Sequence, residues 1–330
     1  MNASRFGLRR RSARALAALC GLAMASAVLV SVPWAQAASP NLYAVVGAGG
    51  TQVAGNGVAG ISHLGTGRYE VTFVQNVSQC AYVATTRNAF SQALQVFTAG
   101  GHSSAQGVYV ETKNQGGGLT DGPFNLMVDC GGTGTQFAVV DPAGQLARGT
   151  AGTSVSILGT GRYNVTFPTS VSSCSYLATV GDAGNALVFN PANVSTGSSA
   201  AGANTVYVET KNPGGGLSSG IPFHLAAVCP SAPSTKVLVV NATGLPARGS
   251  ALTSSFNASA GNYTIATNRS LASCAAIATR GSTTRAVPFD PATVEITPGP
   301  AANTVGVQTR QLLFFGGQPF DTAFHSALIC

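Results

Sequence analysis

The decisive stretch of the sequence is Gly-Arg-Tyr-Glu-Val-Thr-Phe at residues 67–73. It recurs as Gly-Arg-Tyr-Asn-Val-Thr-Phe at 161–167 and, in weaker form, as Gly-Asn-Tyr-Thr-Ile-Ala-Thr at 261–267. The tyrosines of the three stretches lie 94 and 100 residues apart (69 to 163, then 163 to 263). Such a spacing is the size of a whole domain rather than of a solenoid unit. The stretch therefore predicts three tandem copies of one domain.

Three further blocks recur in the same order around this stretch. The block Leu-Tyr-Ala-Val-Val at 42–46 returns at 136–140 and 236–240 with both valines kept. The block Cys-Ala-Tyr-Val-Ala-Thr at 80–85 returns at 174–179 and 274–279. Each copy then closes on a phenylalanine followed six residues later by a cysteine: Phe124 and Cys130, Phe223 and Cys229, Phe324 and Cys330. We therefore define copy 1 as residues 38–134, copy 2 as 135–233 and copy 3 as 234–330.

Apolar and polar residues alternate inside each copy. In the segment 108–113 the two valines and the threonine fall on one side of an extended chain, and the tyrosine, glutamate and lysine fall on the other. In the segment 124–130 phenylalanine, leucine, valine and cysteine share a side. A period of two residues is typical of a strand with one buried face. The sequence predicts an all-β fold of three tandem antiparallel β-sandwich or jelly-roll-like domains, with about seven short strands each.

The cysteines follow the same division. Of the seven cysteines, all but Cys20 fall at equivalent places, two in each copy. Six cysteines can pair in many ways, but the repeat favours one disulfide inside each copy: Cys80 with Cys130, Cys174 with Cys229, and Cys274 with Cys330. Paired cysteines can also bind zinc, but that would require a Cys-x-x-Cys spacing or a neighbouring histidine pair, which this sequence lacks.

The first 37 residues have the order of a secretory signal peptide. Five arginines precede an apolar run from 15 to 32, and Ala35-Gln36-Ala37 offers the small residues that a signal peptidase recognises. An uncleaved membrane anchor is the alternative, because the run approaches the length that crosses a bilayer. We predict a signal peptide at 1–37 with cleavage before Ala38. The mature chain is then exported to the periplasm, the cell surface or the medium, with no membrane span.

The charge of the mature chain excludes one class of partner. The full sequence has 17 Lys+Arg and 10 Asp+Glu, a net charge of +7. Five of those arginines lie in the predicted signal peptide, which leaves 12 against 10 and a net charge of +2. Binding of nucleic acid depends on a patch of Lys and Arg that neutralises phosphates, and no such patch remains. We predict no nucleic-acid partner.

The blocks together resemble a tandem repeat of exported bacterial proteins of unknown function, about 100 residues long with paired cysteines. The motifs that carry the resemblance are Gly-Arg-Tyr-x-Val-Thr-Phe, Ser-x-Cys-x-Tyr-x-Ala-Thr, Val-Tyr-Val-x-Thr and a closing Pro-Phe-His-Leu-x-x-x-Cys. The resemblance covers nearly all of the mature chain and implies no particular activity. Copy 3 departs most, because Ala276 and Gly306 stand where the other copies have tyrosine.

Candidate catalytic and metal-binding residues are few. His224 and His325 occupy one strand position in copies 2 and 3. Because the phenylalanine and cysteine of that strand turn inward, the pattern predicts that both histidines face solvent. The next position on the same face is alanine, which offers no second metal ligand. The sequence also lacks a nucleophile elbow, a zinc-protease motif and a P-loop lysine. We predict no catalytic residue, no metal site and no cofactor.

One face of the Val-Tyr-Val strand is the candidate contact face. Its side chains are Tyr109, Glu111 and Lys113 in copy 1, repeated as Tyr207, Glu209 and Lys211 in copy 2. A solvated face with a weak Glu–Lys pair is the plain interpretation. The functional interpretation is a shallow contact surface, in which tyrosine supplies apolar area and a hydroxyl. In both interpretations these side chains are predicted to be exposed.

The features leave three classes of function open. The first is an exported, non-enzymatic structural or adhesive repeat protein of the cell envelope or surface, because repetition multiplies weak contacts. Its predicted partner is a surface protein or glycan, or a second copy of the chain. The second is a secreted ligand-binding module, with carbohydrate as the candidate ligand. An enzyme comes third, because the three copies share no polar constellation.

Overall fold

The computed structural model describes residues 42–87, 93–186, 191–250, 253–285, 292–312 and 317–330. Over these ranges all regular structure is β-strand, which confirms the all-β prediction. Each copy holds eight described strands, one more than predicted. The described residues belong to one compact unit, Ala38–Cys330. The predicted signal peptide at 1–37 lies outside the described residues.

The strands take equivalent places in the three copies. Copy 1 contains β1 (Leu42–Val46), β2 (Gln52–Asn56), β3 (Val58–Gly65), β4 (Arg68–Phe73), β5 (Ala81–Arg87), β6 (Leu94–Gly100), β7 (Gly107–Asn114) and β8 (Phe124–Asp129). Copy 2 contains β9 (Thr135–Val140), β10 (Leu146–Gly149), β11 (Ser154–Gly159), β12 (Arg162–Thr166), β13 (Ser175–Val180), β14 (Asn193–Ser198), β15 (Thr205–Lys211) and β16 (Phe223–Val228). Copy 3 contains β17 (Thr235–Val240), β18 (Pro246–Gly249), β19 (Thr253–Ser259), β20 (Asn262–Thr267), β21 (Ala275–Ser282), β22 (Ala292–Pro298), β23 (Thr304–Gln311) and β24 (Phe324–Ile329).

Within each copy the eight strands form two antiparallel groups of four. In copy 1 the groups run β2-β1-β8-β5 and β3-β4-β7-β6, and copies 2 and 3 repeat this order. The alternating apolar side chains of both groups meet in one core per copy, which contains Tyr69 and Phe124 in copy 1. Their rings pack edge to face with centroids 5.2 Å apart. The equivalent tyrosines and phenylalanines fill the cores of copies 2 and 3.

The glycine that opens the decisive stretch makes the turn from β3 to β4. Gly67 has φ +65°, a conformation that costs glycine little and other residues more. A Cβ there would lie 2.5 Å from Thr112 O, so the space excludes a side chain as well. Asp121 accepts a hydrogen bond from Gly67 N at 2.6 Å. Gly161 and Gly261 hold the same place in copies 2 and 3, with φ +60° and +68°.

One disulfide lies inside each copy. The pairs are those that the repeat predicts: Cys80–Cys130, Cys174–Cys229 and Cys274–Cys330. Each links the start of the β5-type strand to the end of the neighbouring β8-type strand, across 50 to 56 residues of chain. Closing loops of this length restricts the unfolded chain and stabilises the fold by about 4 kcal/mol each in the chain-entropy model.

Backbone pairing between copies closes the three into a ring. β14 of copy 2 pairs in parallel with β21 of copy 3, and β22 of copy 3 pairs in parallel with β5 of copy 1. Thr98 of β6 forms a parallel bridge to Gly181 of copy 2. We call these contacts seam 2–3, seam 3–1 and seam 1–2. In each, a β6-type strand meets the β5-type strand of the next copy, so the ring has an approximate threefold axis.

One threonine in each copy ties the ring near this axis. Thr179 of copy 2 donates to Ala84 O at 3.0 Å and accepts from Ala84 N at 2.8 Å. The same two hydrogen bonds join Thr279 to Ala178 and Thr85 to Ala278. A fourth apolar cluster, which we call the central core, takes residues from all three copies, including Val83, Leu177 and Ile277. The copies therefore share a core as well as having their own.

Candidate functional site

The predicted contact face on β7 and β15 is buried, which corrects the expectation of exposure. Tyr109 and Tyr207 are each 4% exposed. The four charged residues of the face are buried too: Glu111, Lys113, Glu209 and Lys211. The alternation correctly placed the valines of both strands in the cores. The opposite face, however, does not meet solvent.

His102 of the same copy covers the tyrosine of this face in copy 1, and a loop of the next copy contacts the segment that carries His102. Gly100 N at the end of β6 donates to Gly184 O of copy 2 at 2.7 Å. His102 Nε2 lies 2.8 Å from Asn185 O, and its ring stacks on Tyr109 with centroids 3.9 Å apart. In copy 1 the tyrosine is therefore covered by a histidine of its own copy, which in turn contacts copy 2. In copy 2 the cover comes from the next copy, because Arg285 of copy 3 lies over the Tyr207 ring at 5.3 Å.

The polar groups of the buried face satisfy one another. Tyr109 Oη donates to Glu111 Oε1 at 2.9 Å, and Lys113 Nζ lies 2.8 Å from Glu111 Oε2. Arg68 Nε approaches the same carboxylate at 3.5 Å. In copy 2 the same set is formed by Tyr207, Glu209, Lys211 and Arg162. Burial, and then the hydrogen bond to Glu209, raise the pKa of Tyr207 to about 12. A buried carboxylate is tolerated because it is paired.

Copy 3 rebuilds this network with the acid on a different strand. Gln308 replaces the glutamate and accepts from Arg310 Nε at 2.7 Å. Glu295 on β22 is the direct cross-strand partner of Gln308, and its Oε1 accepts from Leu94 N of copy 1 at 2.9 Å. Glu295 is 1% exposed, and burial raises its pKa to about 7 although Arg310 acts in the opposite direction.

The two strand histidines are also buried, so their predicted exposure is wrong. His224 and His325 are both 0% exposed. His224 Nδ1 accepts from Tyr82 N of copy 1 at 2.9 Å, and His325 Nδ1 accepts from Tyr176 N of copy 2 at 3.0 Å. Burial, and then a nearby arginine, lower the pKa of each to about 3. Each is a neutral imidazole that ties one copy to the preceding one.

An arginine completes each of these two seams. Arg148 of copy 2 lies over the Tyr82 ring at 5.4 Å and donates through Nε to Cys80 O at 2.9 Å. Arg248 of copy 3 lies over the Tyr176 ring at 4.8 Å and donates to the equivalent Cys174 O. We call this combination of tyrosine, histidine and arginine the seam clamp.

A cavity of about 80 Å³ lies at one end of the threefold axis. Its lining is the same six positions taken from each copy, on the β5-type and β6-type strands. Gln95, Asn193 and Thr293 occupy one of these positions and are 6%, 9% and 6% exposed. Gln95 Nε2 donates to Asn193 Oδ1 at 3.2 Å. Arg280, which is also buried, is the one charged residue of the lining.

Three polar atoms of this axial cavity have no hydrogen-bond partner within the described ranges: Gln95 Oε1, Asn193 Nδ2 and Thr293 Oγ1. Leaving a buried donor or acceptor unpaired typically costs about 1–3 kcal/mol. One acceptor, one donor and one hydroxyl from three different copies therefore converge on a space large enough for several water molecules or one small polar molecule. This cavity is therefore a candidate binding site for a small polar molecule.

Comparisons with known proteins do not assign the site. Protein-family models, curated proteins and solved structures give no match. Among the residues that the structure describes, no group of His, Cys, Asp or Glu is placed to hold a metal ion. Nor does any helix in these ranges have the length and hydropathy to cross a membrane.

The axial cavity was not predicted from the sequence, although the repeats contain a signal for it. Gln95, Asn193 and Thr293 are three different polar residues at one repeat position, each followed by a valine. Polar residues in register across repeats indicate a shared environment. Only the ring, however, brings three strands of three copies to one axis, so the convergence could not be read from one copy.

Proposed function

We propose that this chain is an exported, non-enzymatic structural or adhesive protein of the cell envelope or surface. The closed ring carries the proposal, because it fixes three domains rigidly around one axis. One disulfide in each copy supports export, since such bonds persist in oxidising compartments. A rigid body with threefold repetition presents equivalent surfaces at fixed separations, which favours multivalent attachment over independent domains.

The surface that supports attachment lies on three edge strands. β3, β11 and β19 each lie at the end of a sheet. Each carries an exposed large apolar side chain: Leu64 at 50%, Ile157 at 53% and Phe256 at 53%. An edge strand has unpaired backbone groups that can accept another strand. We propose these three strands, instead of the buried tyrosine face, as the surface that contacts a partner protein or glycan.

The test removes the three apolar side chains together. The triple variant Leu64→Ser, Ile157→Ser and Phe256→Ser should reduce attachment of the exported protein to cells or matrix at least tenfold. Stability should change little, because substitutions at exposed sites typically cost within about 0.5 kcal/mol each. The matched control is Val53→Ser with Leu245→Ser, which changes apolar side chains that are 54% and 59% exposed outside these three strands. Equal attachment by the triple variant and the control would contradict the proposal.

A ligand-binding function is the second candidate, and the axial cavity favours it. Its three unpartnered polar atoms suit a small neutral molecule with several hydroxyl groups. Calorimetric titration of the exported protein with glycerol and ethylene glycol, polyols small enough for about 80 Å³, tests this candidate. Binding that disappears in Gln95→Leu with Asn193→Leu, while the edge-strand variant still binds, would favour a ligand-binding module. A titration without heat for either polyol would count against it.

A further inference from the structure

The three seams use equivalent positions but not equivalent residues. Seams 1–2 and 2–3 each contain a complete clamp: Tyr82, His224 and Arg148 in the first, and Tyr176, His325 and Arg248 in the second. At seam 3–1 the corresponding residues are Ala276, Asn125 and Ala54. All three replacements exchange a large side chain for a smaller one. They occur together at the seam where the ring closes.

The backbone framework of seam 3–1 is nevertheless kept. Asn125 Nδ2 donates to Ala276 O at 2.8 Å, whereas the histidines accept from the backbone N–H of the equivalent residues Tyr82 and Tyr176. β22 and β5 pair in parallel, and Thr85 makes both hydrogen bonds to Ala278 at 2.9 Å. The two copies are therefore held together as in the other seams, and the missing side chains leave space instead of allowing collapse.

That space is a cavity of about 140 Å³ between copy 3 and copy 1. Its walls include Ala54, Ala276, Ile296 and Leu328. Ile296 stands where the other copies have Thr98 and Thr196, which makes the wall more apolar. An engineered apolar cavity of about 150 Å³ accepts a benzene ring. The cavity is therefore the size of the aromatic ring that the other two seams supply themselves.

Two polar groups give the cavity a chemical preference. Asn125 is 2% exposed, and its Oδ1 is among the side-chain atoms without a hydrogen-bond partner in the described structure. It is an acceptor that suits a hydroxyl donor. Arg87 is the one charged residue of the lining, and it suits an anionic substituent.

The arginine at this seam replaces a glycine that is tightly surrounded in the other two seams. Arg87 takes the position of Gly181 and Gly281 in the other copies. A Cβ on Gly181 would lie 2.9 Å from His224 Cδ2, and a Cβ on Gly281 would lie 2.5 Å from His325 Cδ2. The facing threonine crowds the same point: Thr98 Oγ1 would lie 2.5 Å from the Cβ on Gly181, and Thr196 O would lie 2.6 Å from the Cβ on Gly281. Histidine and threonine together thus leave no room for a side chain at this position. Seam 3–1 replaces both of them, with Asn125 and Ile296, and has the arginine.

We propose that the seam 3–1 cavity binds a small phenol, with the aromatic ring in the space of the missing tyrosine and the hydroxyl donating to Asn125 Oδ1. A carboxylate on the ring adds an ion pair with Arg87. The site is separate from the edge strands β3, β11 and β19 and from the axial cavity. Its test is therefore independent of the proposed function.

Titration of the full exported chain with 4-hydroxybenzoate, phenol and toluene tests the proposal by calorimetry or by ligand-detected NMR. We expect one saturable site, with affinity falling at least threefold from 4-hydroxybenzoate to phenol and again from phenol to toluene. Absence of saturable binding, or toluene binding as tightly as phenol, would overturn the proposal.

Two variants locate the site. The first variant rebuilds the clamp and should reduce affinity for 4-hydroxybenzoate at least tenfold. It combines Ala276→Tyr, Asn125→His, Ala54→Arg and Arg87→Gly. The second variant opens seam 2–3 and should raise the number of phenol molecules bound per chain from one to two. It combines Tyr176→Ala, His325→Asn and Arg248→Ala. If the first variant does not fold, Ala276→Phe alone fills the ring space and should lower affinity in the same way. Undiminished binding in a folded, filled variant would show that the ligand lies elsewhere.

Discussion

Seam 2–3 and seam 3–1 join the same pair of strand types, yet only the first is filled by side chains. Both have parallel backbone pairing and the threonine hydrogen bonds. Seam 2–3 adds a tyrosine that stacks on a histidine with centroids 4.9 Å apart, under an arginine. Seam 3–1 has alanine, asparagine and alanine at those places. Backbone pairing therefore sets the geometry of the ring at both seams. The clamp adds side-chain packing where it is present.

Acid should distinguish the two kinds of seam most strongly. The pKa of His224 and of His325 is lowered to about 3 in the folded chain, and the ordinary value is about 6.5. Between these values the unfolded chain binds a proton on each histidine that the folded chain does not, so the free energy of unfolding falls as the pH is lowered. At pH 4 the loss should be about 3 kcal/mol for each histidine.

The double variant His224→Asn and His325→Asn copies the residue of seam 3–1 and should remove that pH dependence. The measurement is urea unfolding at pH 4 and pH 8, compared between the variant and the unchanged chain. Loss of stability at pH 8 from the missing rings is expected and does not affect the comparison, which rests on the difference between the two pH values. An equally steep acid loss in the variant would show that other groups cause it.

Removal of one clamp tyrosine should have the next largest effect. Tyr176 is 1% exposed and contacts both His325 and Arg248. Tyr176→Ala should lower the free energy of unfolding by about 3–5 kcal/mol, the usual cost of a large aromatic-to-alanine change in a core. The matched change in the open seam is Ala276→Val, which adds volume beside the cavity and should cost less than about 1 kcal/mol. Equal losses in the two variants, measured by denaturant unfolding, would erase the distinction between the seams.

The buried acid of seam 3–1 should give the smallest effect and the opposite pH dependence. The pKa of Glu295 is raised to about 7 from an ordinary value near 4.5. Between these values the folded chain holds a proton that the unfolded chain has lost, so stability falls as the pH rises. The unchanged chain should lose about 3 kcal/mol of its free energy of unfolding on this account between pH 4 and pH 8. Glu295→Gln lacks the titrating group and should not show this loss. Ser195→Ala, at the same position of copy 2, is the control and should still show it.

The sequence predicted the elements of each copy because local chemistry specifies them. Alternation identified β7 and β8 as strands and correctly assigned the valines of β7 to a core. The equivalent cysteines predicted the three disulfides, since a repeated domain repeats its internal contacts. These features depend on residues that are neighbours within one copy.

The inside and outside of the polar faces could not be predicted in the same way. Tyr109 and His224 lie at positions that alternation assigns to solvent, and both are buried, Tyr109 under His102 of its own copy and His224 against Tyr82 of copy 1. A buried polar residue whose hydrogen-bond partner is on the same strand gives the same sequence pattern as a polar residue exposed to water. Tyr109, which donates to Glu111, is an example. Alternation with a period of two residues shows which residues share a face of the strand. It does not show whether solvent or protein covers that face.

The all-β class, the strand pattern inside each copy and the cysteine pairs could thus be read from the sequence, because each follows from contacts between residues of one repeat. The closed ring, the axial cavity with polar atoms from three copies, and the open seam became visible in the folded chain. Those features depend on contacts between residues 95 to 201 positions apart, such as Thr179 with Ala84 and Glu295 with Leu94. No periodicity along the chain encodes such contacts, since they arise from how finished domains pack.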